Sequence, residues 1–139
     1  MEKFMGFHQK KDVEGTKTCC TDDFVLAFGD DSFPPGAYYG VMEEVFASFP
    51  DFEYVIDKFY VKDGKKCLDF HVKGTHTGAP YGLAAFPKID ATGIAVENSP
   101  ETLTIKQVVD GKIKVASILT RGPNGGPPGL YSQIGGKME

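Results

Sequence analysis

Tryptophan is absent from this chain, and cysteine occurs only three times. Two of those cysteines, Cys19 and Cys20, are adjacent, where a mutual disulfide would be strained, so the sequence does not support a disulfide framework. Reduced thiols fit an intracellular, cytoplasmic setting, with an organelle-targeting segment trimmed beforehand as the open alternative. Cysteine and histidine do not recur at the paired spacings that zinc requires, so neither a metal nor a cofactor is expected. Long basic runs are also lacking. Lys10-Lys11 and Lys65-Lys66 are short, and a net charge of −4 argues against a nucleic-acid partner, whose binding needs clustered cations. No apolar stretch reaches membrane-spanning length, so no membrane partner is expected. Phosphate loops, Ser-His-Asp signatures and dinucleotide fingerprints are missing too.

What is present is a chain of 139 residues whose aromatic load falls on 11 Phe and 6 Tyr. That length suits one domain with a real core, here residues 1–139. In MEKFMGFHQKKDVEG, Phe4, Phe7 and Lys11 fall at helical spacing and predict a short amphipathic helix. Residues 24–28 read as a strand, and 30–36, with two prolines and a glycine, as a loop. Tyr38, Val41, Met42, Val45, Phe46 and Phe49 follow the rhythm of a buried helix face, which Pro50 ends.

From residue 53 the pattern turns to β. Residues 53–62 are β-branched and aromatic, and Asp63-Gly64 is a hairpin signal. In 66–76, Leu68, Phe70 and Val72 alternate with Asp69, His71 and Lys73, predicting one buried and one wet face. A glycine- and proline-rich excursion covers 78–93. Strand 101–109 alternates Leu103 and Ile105 against Thr102, Thr104 and Lys106, Asp110-Gly111 signals a second turn, and 112–121 reads as the last strand. The tail GPNGGPPGLYSQIGG reads as a loop with a short apolar end. Helices followed by an antiparallel meander predict an α+β fold, with N-terminal helices packed on a curved antiparallel sheet.

Four segments occur in a recognisable order: Ser48-Phe49-Pro50-Asp51, Gly74-Thr75-His76-Thr77-Gly78, Asp110-Gly111-Lys112-Ile113 and Gln133-Ile134-Gly135. In this the chain resembles the SnoaL-like polyketide cyclases of the broader NTF2-like superfamily. The resemblance implies a cone-shaped α+β barrel, a deep apolar cavity, a homodimer, and a small, largely apolar ligand, polyketide-like or anionic. It also implies cofactor-independent aldol cyclase or isomerase chemistry. Such cyclases carry a Glu, a Trp and an acid-base Asp at set distances beyond the Ile of the third segment. Counted from Ile113, this chain has Val115, Ser117 and Arg121 there. Arg121 cannot take and return a proton near neutral pH. A non-catalytic ligand-binding or dimerisation module is therefore the alternative function.

Parity selects the candidate site residues. Continuing the Leu68–Val72 alternation puts Gly74 and His76 on the buried side and His71 on the wet one. An imidazole titrates near neutrality, which suits an acid or base lining an apolar cavity, with Gly74, Gly78 and Gly82 leaving room for a ligand. The other reading is a structural histidine tying down the glycine loop. Glu101 shares parity with Leu103 and Ile105, looks inward, and needs a partner. His76 and Glu101 are the catalytic candidates. Tyr81, Arg121, Tyr54 and Tyr38 are the ligand-binding candidates. Arg121 faces inward, with Ile113, Val115, Ser117 and Leu119, if the Asp110-Gly111 loop is one residue longer than a two-residue turn. The resemblance favours that register.

Overall fold

The computed structural model describes residues 2–29, 31–83 and 86–136. Asp30 of the predicted loop and residues 84 and 85 of the predicted excursion lie outside the described residues. Two short helices come first, α1 (Glu2–Gln9) and α2 (Val13–Thr18). The single helix expected here is broken because Lys11 takes a left-handed φ of 58° and Asp12 then caps α2, accepting from the Gly15 N–H at 2.8 Å. The buried face of α1 is Phe4, Met5 and His8 rather than the predicted Phe4–Phe7–Lys11 stripe. Phe7 instead lies over Gly15, where a Cβ would come within 2.3 Å of its ring.

Strand β1 (Cys20–Phe28) turns into the short edge strand β2 (Asp31–Phe33), which lies inside the stretch that the prolines and glycine predict as loop. Helix α3 (Ala37–Ser48) follows the predicted rhythm and buries Met42 and Val45, with Phe49 fully buried at its C-cap. Strands β3 (Glu53–Lys62) and β4 (Lys65–Thr75) form the expected hairpin. After the excursion come a short strand missed by the pattern, β5 (Ala95–Glu97), then β6 (Glu101–Val109) and β7 (Lys112–Thr120). The tail holds a helix rather than a loop, α4 (Gly126–Gln133). Its prolines sit in the first turn, where the missing N–H groups would have had no intrahelical partner, and Leu130, Tyr131 and Ile134 bury its C-terminal half.

The seven strands form one sheet in the order β2-β1-β7-β6-β4-β3, with β5 paired to β4. It is mixed rather than wholly antiparallel, because β1 runs parallel to β7. It also does not close into a barrel, since β2 and β3 are edges. Register shifts between Ile56 and Lys58, and between Ile105 and Val108, add bends that curve it around the helices. The α+β class with helices against a curved sheet is as expected. The core sits in that concavity, centred on Phe24, Leu26, Phe49, Leu68, Phe70 and Leu103. Full burial of one such side chain is worth roughly 1.5–3 kcal/mol. Among the described residues, no helix is long and apolar enough to cross a membrane.

Candidate functional site

A cavity of about 70 Å³ lies between the concave sheet face and the helices, lined by Phe4, His8, Tyr38, Tyr54, Leu103 and Glu101 among others. Leaving such a void unfilled costs on the order of 2 kcal/mol in lost packing, which a sequence selected only for stability would recover with larger side chains. A second, open cleft of about 610 Å³ lies beside it, bordered by Phe33, Gly40, Glu44, Tyr81, Phe86 and Lys88. Phe28, Val41 and Pro127 line both spaces and form the wall between them.

Among the described residues, Glu101 is the one carboxylate on the cavity wall, and only 2% of it is exposed. Strand alternation carries it inward, since Glu101 pairs with Thr120 and shares its face with Leu103 and Ile105. Desolvation pushes its pKa up to about 7 from 4.5, partly opposed by hydrogen bonds from the Gly126 N–H and the Thr120 hydroxyl. Gly126 opens α4 with a φ of 57°, and a Cβ there would meet the Phe28 ring at 2.5 Å. Only glycine fits this close approach. Asn98 holds the same turn from the other side, donating to the Gly126 carbonyl at 3.2 Å and accepting from Gln133 at 2.7 Å. A carboxyl that is half ionised near neutral pH can both take and return a proton.

Opposite lie three aromatic groups. His8 Nδ1 is 2.8 Å from the Phe4 carbonyl, and His8 Nε2 is 2.9 Å from the Tyr38 hydroxyl. The Tyr54 ring meets that of His8 edge to face at 5.3 Å. Burial pushes His8 down to about 4 and holds both phenols well above their usual range, the nearby Glu101 charge adding to the latter. All three groups are therefore neutral near pH 7.

The expected site residues divide. Glu101, Tyr38 and Tyr54 come together on the cavity wall. Tyr81 is buried against Phe49 (5.3 Å, edge to face) and lines the outer cleft instead. His76 is fully buried, as parity predicted, yet it does not line the cavity. The Thr92 N–H donates to its Nδ1 at 3.3 Å and its Nε2 donates to the Ala79 carbonyl at 3.2 Å, which is the tying geometry of the alternative reading. The surrounding glycines answer to close packing, not to ligand space: a Cβ on Gly78 would sit 2.0 Å from the Ala47 carbonyl oxygen. His71 lies on the outer face, 3.3 Å from Asp57.

Arg121 does not face inward as the longer loop would require. The Asp110-Gly111 connection is the two-residue turn, pairing Val109 with Lys112, and the register shifts near Gln107 cancel. Leu103 therefore faces Ile118, Glu101 faces Thr120, and Ala116, Ile118 and Thr120, not Val115, Ser117 and Leu119, hold the inner face. Leu119 is 63% exposed, and Arg121 reaches Asp69 on the outer face at 3.8 Å. His8 and Asn98 were missed. The signal for His8 was its i+4 spacing from Phe4 on α1, and that for Asn98 was absent, since it sits between β5 and β6. Among the described residues, no group of His, Cys, Asp or Glu has the makings of a metal site.

Comparison with known proteins agrees with this fold. The family model for SnoaL-like polyketide cyclase matches residues 1–118, ending before Arg121 and before Gln133-Ile134-Gly135. No curated protein matches in sequence. Among solved structures, AclR from Streptomyces galilaeus is similar over 96% of this chain and 90% of its own, with a TM-score of 0.73 and 18% identity. TsrD from Streptomyces laurentii is similar over 97% and 91%, with a TM-score of 0.69 and 15% identity. A protein with a ketosteroid isomerase-like fold from Catenulispora acidiphila, in complex with trimethylamine, is similar over 96% and 89% with a TM-score of 0.64 and 11% identity.

Proposed function

The chain belongs to the SnoaL-like polyketide cyclase family, and from that premise we propose that it binds a small, largely apolar ligand and performs cofactor-independent acid-base chemistry of the cyclase or isomerase type. The observation that carries this reading is Glu101, a carboxyl buried on an apolar cavity wall and poised to titrate near pH 7. Glu101 is the acid-base group, and Tyr38 and Tyr54 face the ligand beside it. The inner cavity is less than half the ~150 Å³ that admits benzene, so it takes only the reacting end of a ligand. The outer cleft, with Tyr81, Phe33 and Phe86, takes the remainder. Arg121 has no part in this chemistry, because it lies on the other face of the sheet.

Ethyl acetoacetate, a small β-keto ester, supplies the test. The protein should accelerate solvent-deuterium exchange at its activated carbon near pH 7, and Glu101→Gln should lose about 10²–10⁴-fold of that acceleration, the usual contribution of a positioned acid-base group. Equal exchange with both proteins would leave the alternative, a non-catalytic ligand-binding or dimerisation module. The same reading includes a homodimer through the outer sheet face, where Leu119 is exposed close to Arg121. Sedimentation as a monomer at tens of micromolar, roughly the range of a moderate interface, would count against it.

A further inference from the structure

One backbone carbonyl sets the direction of the hydrogen bond between His8 and Tyr38 on the aromatic wall of the cavity. The Phe4 oxygen, 2.8 Å from His8 Nδ1, can only accept, so Nδ1 carries the ring proton. A neutral imidazole has one donor and one acceptor, which leaves Nε2 bare. His8 is neutral because it is 1% exposed and packed among the rings of Phe4, Tyr38 and Tyr54. Tyr38, 2.9 Å from that bare nitrogen, must spend its single phenolic proton on it. Tyr38 therefore has only lone pairs left for the cavity that it lines.

From this we infer that the inner cavity recognises a hydrogen-bond donor, an uncharged hydroxyl or N–H on an apolar ligand, through the Tyr38 oxygen, and that His8 is the positioning residue that sets this polarity. A carbonyl placed against Tyr38 meets only lone pairs there. A hydroxyl in the same place meets an acceptor, and ionised Glu101 on the cavity wall offers a second. The inference rests on the cavity being the ligand site and names the class of group it takes. It does not depend on turnover.

2-Propanol and acetone are a matched pair of nearly equal shape, smaller than benzene as the inner cavity requires, one with a donor and one without. Titrated by NMR against the intact protein, the alcohol should bind about tenfold more tightly than the ketone, the difference expected for one net hydrogen bond. His8→Leu frees the Tyr38 proton and should abolish or reverse that ratio. Should His8→Leu fail to fold, the wild-type protein still decides the matter, because the 15N shifts of His8 report its tautomer directly. A protonated Nδ1 and bare Nε2 are expected. An Nε2–H tautomer, equal or tighter binding of the ketone, or binding of neither compound would overturn the inference. Loss of exchange activity in Glu101→Gln with the alcohol preference intact would bear on catalysis alone, so the two readings fail separately.

Discussion

Arg121 donates to the backbone carbonyl of Glu101 at 3.5 Å, yet the side chains of the two residues lie on opposite faces of the sheet. The carboxyl enters the cavity, while the guanidinium joins Tyr60 and Thr102 around Asp69 on the outer face. Proximity in the chain of hydrogen bonds does not make these two residues a catalytic pair. Arg121→Ala should therefore leave ligand affinity and turnover unchanged and cost no more than about 1 kcal/mol of stability, as partly exposed ion pairs do. Asp69→Asn should cost more, because two hydroxyls also converge on that carboxylate. Chemical denaturation and an affinity measurement on both variants check the pair.

The pH dependence of stability should carry two opposed contributions. Glu101 is raised to about 7 from 4.5, so the folded protein holds more protons than the unfolded one between those values. Its contribution is present below 4.5 and is lost as pH rises through about 7. His8 is lowered to about 4 from 6.5, so its contribution is present above 6.5 and is lost as pH falls through about 4. Each is worth on the order of 3 kcal/mol, and over the shared interval they nearly cancel. Wild-type stability should thus vary little from pH 4.5 to 6.5 on account of these two groups. Glu101→Gln should unmask a stability that rises with pH, and His8→Leu one that falls. Urea denaturation at several pH values reads both slopes, and parallel curves for the two variants would contradict the assignment.

His76→Ala should behave as a structural change. It removes the bonds to Thr92 and Ala79 and leaves their backbone groups without a partner. The expected loss is about 1–3 kcal/mol. Affinity of the remaining folded protein for 2-propanol should not move, since His76 does not line the cavity.

Gly40 separates stability from ligand space. It lies within α3 on the rim of the outer cleft, and a Cβ there meets nothing within 4 Å. Gly40→Ala should stabilise the protein by about 0.5–1 kcal/mol through helix propensity alone. Gly40→Phe should narrow the cleft, weakening ligands that extend into it while leaving 2-propanol affinity intact. A melting curve and two titrations distinguish these effects.

Alternation alone determined much of what matters here. With a side-chain period of two, the run from Leu68 to Val72 places His76 inward and His71 outward, and Leu103 with Ile105 places Glu101 inward. The 3.6-residue rhythm likewise determined the buried face of α3 and with it the position of Tyr38. Tertiary structure alone decided which inward polar group meets empty space. Glu101 does, because α4 returns to cover one end of the sheet without filling it. His76 does not, because residues 92–94 and the Ala79 carbonyl close over it. It also decided the face of Arg121, since Asp110-Gly111 is compatible with a two-residue turn or a longer loop, and only the pairing of Val109 with Lys112 selects the first. Finally, it decided the partner of His8. An imidazole on a short helix is chemically ambiguous until a tyrosine thirty residues away arrives within hydrogen-bonding distance, and that approach is set by packing rather than by spacing.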